Sequence, residues 1–200
     1  GIWTGLPPTV IGQVFGGGFY AGQIGVSGVA THYLVVGPVA SAQSTSIQFK
    51  TSNTTDPGAT SVINGPANSA AMNDANHPAA QFCENLTIGG FSDWYMPATN
   101  ELEVCYFNLK PTTTSNNTNS GINANAVPAR ASNYTAGNPA QTSATDFQSS
   151  GAEDFSINEY WSSTEDSASD GRYQIFNDGY QLAFSKTSSL RVRAIRRVAV

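Results

Sequence analysis

The sequence predicts an α+β domain in which two helices sit among several short antiparallel strands, with long loops between them. Three observations carry that expectation. Two stretches, 68–86 and 99–108, place apolar residues at helical spacing. Seven short runs read as strands, most of them bounded by Gly, Asn or Asp. Helical and extended stretches do not alternate in the way a doubly wound parallel sheet requires.

Residues 1–18 are rich in Gly and Pro, with Pro7-Pro8 and Gly16-Gly17-Gly18, and read as a connector entering a domain at residue 19. Phe19–Ile24 and His32–Val36 form two strands turning around Gly25 to Gly28, and Ser46–Lys50 alternates polar and apolar like a half-buried strand. Asn68–Leu86 gathers Ala70, Ala71, Ala79, Ala80, Phe82, Cys83 and Leu86 into an apolar face, with Pro78 as a point of breakage. Gly89-Gly90 ends that helix. The second helix, Thr99–Asn108, carries Leu102, Val104, Cys105 and Phe107, with Pro111 beyond its end. Residues 111–150 read as a long irregular loop: twenty of these forty are Ser, Thr or Asn, and only Arg130 and Asp146 are charged. Loops of that length are functional or disordered. Strands follow at Glu159–Ser163, Tyr173–Asn177, Tyr180–Lys186 and Leu190–Arg196, with Asn177-Asp178-Gly179 as a hairpin turn.

Charge is scarce. Of 200 residues, 12% are Asp, Glu, Lys or Arg, about half the usual share. Nine bases against fourteen acids give a net charge of −5, which argues against nucleic-acid binding. Aromatics at 10% argue against intrinsic disorder. No apolar run reaches 18 residues, so no membrane insertion is expected. With no Met at position 1 and no basic-then-apolar leader, Gly1 reads as the start of a trimmed fragment. A surface rich in amides and hydroxyls suits an extracellular or virion protein. Glu153, Asp154, Glu159, Glu165, Asp166, Asp170 and Asp178 make one acidic stretch, followed by Arg191, Arg193, Arg196 and Arg197. Those arginines are expected to face solvent or pair with these acids rather than to bind a polyanion. Cys83 and Cys105 suit either one disulfide or two buried thiols. Neither they nor His32 and His77 have zinc-ligand spacing, so no metal and no cofactor is expected.

Three segments in order carry a resemblance. They are Gly89–Pro97 followed by Asn100-Glu101-Leu102, then Tyr160–Glu165, then Ser189–Val198. Over about residues 12–198 the chain resembles the DUF1566-type domains of C-type-lectin fold at the ends of phage tail fibres and in bacterial surface proteins. One departure concerns position 98, where that family has Ser or Thr as helix cap; here Ala98 stands and Thr99 is the substitute cap. More narrowly, residues 160–198 resemble the variable region of proteins diversified by retroelements, in which Asn template codons are scattered by adenine mutagenesis. The implied constant frame is Tyr160–Glu165, Gln174, Phe176, Gly179, Gln181, Lys186 and Ser189–Val198. The implied varied, ligand-binding positions are Asp166, Ser167, Ser169, Asp170, Tyr173, Ile175, Asp178, Tyr180, Leu182 and Phe184, with Ala183, Ser185, Thr187 and Ser188. All fourteen residues are reachable from Asn codons by changes at adenine, whereas Lys, Glu, Gln and Trp are confined to the frame.

Each of these residues has a plainer reading. Phe176 and Phe184 are expected in the core, whereas Tyr173 and Tyr180 are expected at the surface, where Tyr gives large contact area at low entropic cost. Trp94 and Trp161 are expected as scaffold rather than as sugar-stacking platforms. No enzyme is expected. The oxidase branch of the resembled fold needs a reactive Cys pair or metal, and Cys83 and Cys105 have no activating base beside them. No Ser-His-Asp order or phosphate-cradling loop is present, and the acids between 153 and 166 read as solvated rather than as a glycosidase pair. The resemblance thus implies a tail-fibre tip domain that binds a host surface protein or glycan through residues 164–188, aided by the 111–150 loop, within a homotrimer. The alternative is a bacterial secreted or surface-displayed variable protein, and a carbohydrate-active enzyme stands third.

Overall fold

In the computed structural model, which describes residues 6–200, the chain forms two sheets. Residues 1–5 of the expected connector lie outside the described residues. The rest of that stretch enters the first sheet. β1 (Val14–Phe15) pairs with the start of β2 (Gly18–Val26), and the Gly12 N–H donates to the Tyr20 carbonyl at 2.8 Å. β2 turns into β3 (Val29–Val36) through Ser27-Gly28. One helical turn, α1 (Val39–Ala42), leads to β4 (Gln43–Gln48).

The first predicted helix is two helices. α2 (Gly65–Ala71) ends at Met72, and α3 (Pro78–Glu84) begins at the proline itself. Pro78 lacks the N–H that a continuing helix needs, but at a first position that loss costs nothing. Two helices were expected; the described residues contain α1, α2, α3 and α4 (Thr99–Leu109), with a 3₁₀ turn at Thr145–Phe147. Even so, strands dominate this mixed α and β architecture. After the long loop come β5 (Glu159–Glu165), β6 (Asp170–Ile175), β7 (Gln181–Ser185), β8 (Ser189–Arg193) and β9 (Ile195–Ala199).

The sheet orders are β1-β2-β3-β9 and β4-β8-β5-β6-β7. Pairing is antiparallel except between β5 and β8, which run parallel at Tyr160 and Arg191. The expected strand Leu190–Arg196 is therefore divided. At Ala194 the backbone leaves one sheet for the other: its N–H donates to the Ala42 carbonyl and its carbonyl accepts from Gly37. Ile195 then exchanges two bonds with Tyr95, at 2.8 and 3.0 Å.

Strands are covered on both faces, so neighbouring residues serve different cores. Leu34, Val36, Tyr160 and Ile195 pack with α4, Phe147, Phe155 and Phe176. Val35, Trp161, Ala194 and Val192 pack with Phe49, Trp94, Met96 and α3. Trp94 and Trp161 are both buried as scaffold, each with its indole N–H bonded to a carbonyl, of Phe91 and Ile47 respectively. Cys83 and Cys105 are unpaired buried thiols in different cores, and burial raises the pKa of both.

Ala98 stands at the α4 cap with no side-chain acceptor, and Thr99 does not replace it. The Thr99 hydroxyl bonds to Ser162 instead. Tertiary neighbours satisfy the free donors of the first turn: Thr164 Oγ1 accepts from the Thr99 N–H, and the Val62 carbonyl accepts from the Asn100 N–H. The buried carboxylate of Glu101 reaches back to the N–H groups of Ala98 and Gly65.

Candidate functional site

The 111–150 segment is irregular yet tied down, because its amides give both donors and acceptors to backbone that would otherwise be unsatisfied. Asn116 accepts from the Tyr106 hydroxyl at 2.6 Å and donates to the carbonyls of Thr135 and Pro139. Asn123 accepts from the N–H groups of Asn125 and Ala126 and donates to Glu103 of α4. Glu103, wholly buried, also takes Tyr134 and Arg130. This anchoring holds Ile122, an exposed side chain, beside the β6–β7 hairpin.

There a cleft of about 390 Å³ opens. Its walls are Asp166, Arg172, Tyr173, Gln181, Leu182 and Ala183 from β5, β6 and β7 and their connections. Opposite stand Val62, Thr99 and Asn100 at the start of α4, with Ile122 from the long segment. Residues directly opposite on paired strands share a face, so Tyr173 lies with Leu182 and Arg172 with Ala183. Arg172 and Asp166 form an ion pair at 2.7 Å across the mouth.

The fourteen positions read as varied have a common property: none is buried. The frame residues Tyr160–Glu165, Gln174, Phe176, Gly179 and Lys186 between and beside them are buried. Asp166, Tyr173 and Leu182 of the ten chosen binding residues line the cleft. Ser167, Ser169 and Asp170 form the β5–β6 turn, in which both serine hydroxyls donate to Asp170 Oδ2. The Ser169 hydroxyl, foremost, holds the Asp170 carboxyl below its ordinary pKa. Ile175, Asp178 and Tyr180 sit half-buried at the far end of the hairpin, where Asp178 Oδ1 accepts from the Tyr180 N–H. Phe184, expected in the core, is 49% exposed. Its partner across the sheet is Gly171, and its ring meets Tyr173 edge-on at 6.3 Å. Tyr173 in turn stands edge-on to Trp161, and its half-burial raises its pKa. Period-2 alternation marks Phe184 as facing the same way as Leu182; it does not say whether anything covers that face.

The terminal arginines are not solvent-facing. Arg193 and Arg196 are buried. Arg193 pairs with Glu153 of the expected acidic stretch at 2.9 Å. Arg196 forks onto Asp93 at 2.7 and 2.8 Å, and Arg197 reaches Glu101 at 2.7 Å. Sequence reasoning missed Arg172, Thr99, Asn100 and Ile122 as cleft residues. Only Ile122 carried a signal, as a large apolar residue in a polar stretch. Among the described residues no group of three or more His, Cys, Asp or Glu is arranged to hold a metal ion, and no helix is long and apolar enough to cross a membrane.

No curated protein sequence matches the chain. Among solved structures, a fimbrial protein from Bacteroides ovatus ATCC 8483 is similar at 15% identity with a TM-score of 0.46. That match covers 82% of this chain and 35% of the fimbrial protein, so the chain spans about a third of that protein's length. A family model described as the Lcl C-terminal domain matches residues 42–196, from the end of α1 into β9, and so encloses every wall of the cleft. The chain belongs to the Lcl C-terminal domain family.

Proposed function

We propose that this domain, of C-type-lectin-like fold, is a non-enzymatic adhesin that binds a host surface protein or glycan through the β6–β7 hairpin and its cleft. One observation carries the reading. The fourteen positions read as varied are all exposed or half-buried, while the frame residues interleaved with them are mostly buried. A rigid scaffold that holds replaceable side chains at one surface is the design of a recognition face. The exposed Leu182 and Phe184, beside Tyr173 and rimmed by Asp166 and Arg172, supply apolar anchors and a polar edge. We place the domain at the tip of a phage tail fibre, as a homotrimer joined through its N-terminal segment.

The test replaces Tyr173, Leu182 and Phe184 with Ser together in the assembled particle. Host adsorption should fall by about a hundredfold or more, as for the loss of a central anchor cluster. Unchanged adsorption by a normally folded variant rejects the face. A parallel variant at the hairpin end, Asp178 and Tyr180 to Ala, separates the cleft from the tip. Neighbouring tail genes support the fibre, and a lipoprotein leader upstream overturns it in favour of a bacterial surface carrier.

A further inference from the structure

Behind the β6–β7 hairpin lies a buried set of ionisable side chains that the proposed binding face does not use. Lys186, wholly buried, follows β7 directly. Its Nζ lies 2.8 Å from Asp56 Oδ2 and 2.9 Å from Glu165 Oε1. Asp56 belongs to the segment after β4, and Glu165 ends β5. The second Asp56 oxygen, Oδ1, faces Lys50 Nζ and, at 2.7 Å, His77 Nε2. His77 is itself oriented by Asp74 through Nδ1 at 2.8 Å. Glu165 Oε1 also accepts the Asp56 backbone N–H at 3.1 Å, which fixes the two carboxylates against each other.

This arrangement does more than pair charges. Burial takes the ammonium and both carboxylates out of bulk water and fixes them against one another. The amine then sits within the contact distance at which held groups react. We propose that Lys186 and Asp56 become joined by an intramolecular amide bond, formed by the folded chain itself with Glu165 as proton carrier.

The step balances without any other reactant. The Lys186 ammonium gives a proton to Glu165, and its freed electron pair attacks Asp56 Cγ. Negative charge grows on Oδ1, where Lys50 and His77 stand as stabilising donors. The C–Oδ2 bond breaks, and Oδ2 leaves as water. It carries two protons that began on the ammonium and passed through Glu165, which ends as the carboxylate it was. One N–C bond forms, one C–O bond breaks, and nothing is oxidised or reduced. Lys50 is not the nucleophile. Both lysines donate to the Thr54 carbonyl, but Lys50 has no second carboxylate to take its proton. The product fastens the end of β7 to the segment after β4, and it is independent of whether the cleft binds a receptor.

Intact-mass measurement of the purified folded chain tests this. The expected mass is one water below that of the sequence. A protease digest should yield a branched peptide joining the Asp56 and Lys186 segments. Lys186→Arg and Glu165→Gln should restore the full mass. The full sequence mass in the unaltered protein overturns the proposal. So does a water loss that maps to Asp170-Gly171 or Asp178-Gly179, where a cyclic imide would form instead. Should the variants fail to fold, the mass and branched peptide of the unaltered chain decide alone.

Discussion

The Tyr134 hydroxyl donates to Glu103 Oε1 at 2.7 Å and pins the long polar segment onto α4. Burial raises the Glu103 carboxyl above its ordinary pKa, against the pull of Arg130, Asn123 and Tyr134. Glu103→Ala leaves those three groups without a shared acceptor and should cost about 3–5 kcal/mol in urea unfolding. Tyr134→Phe should cost about 1 kcal/mol. Amide exchange across 116–139 should quicken in both. Unchanged exchange would mean that the segment is held elsewhere.

Asp93 and Arg196 predict a pH dependence. Burial alone would raise the Asp93 pKa, but the Arg196 fork outweighs it and holds the carboxyl below 3.8. A depressed folded value means stability that is present above the ordinary pKa and lost as pH falls below it. Melting temperature should therefore drop on acidification below about pH 4, and Asp93→Asn should flatten that drop. Parallel acid profiles for the two proteins would refute the coupling.

Two glycines with similar backbone should respond differently to Ala. Gly179 has φ +79°, and a Cβ there would come 2.3 Å from the Tyr106 ring. Gly28 has φ +78° with open space around it. Gly179→Ala should cost more than about 2 kcal/mol, and Gly28→Ala only about 1, from the backbone alone. Equal melting shifts would show that the ring of Tyr106 yields.

Scaffold and face should separate by calorimetry. Trp161→Ala should lose about 3–5 kcal/mol as a core truncation. Leu182→Ser, at an exposed position, should stay within about 0.5 kcal/mol. A large loss at Leu182 would place it in the core and out of the recognition surface.

Local pattern made much of this architecture legible. Pro78 marked the break between α2 and α3, and the strand read at 32–36 lies within β3. Long-range partners were not legible. Nothing in 190–196 says that Ala194 will be drawn off by Ala42 and Gly37, because those contacts are distant in sequence. Nothing says that Thr99 will turn to Ser162 rather than cap its helix. Phe184 fits a strand period equally well covered or bare. Ser167 to Phe184 could be grouped by codon logic, but the cleft also needs Asn100 and Ile122, which only folding brings near.

The crossing at Ala194 also constrains biosynthesis. Ser189–Arg193 sits between β4 and β5, and Ile195–Ala199 closes the other sheet on β3. Both sheets therefore wait for Ser189–Ala199 to leave the ribosome. A message cut short before codon 189 yields a chain that can complete neither sheet, and quality control would remove it. The β6–β7 hairpin is made just before the stretch that locks both sheets, so a folded chain that carries the hairpin also carries residues 189–199.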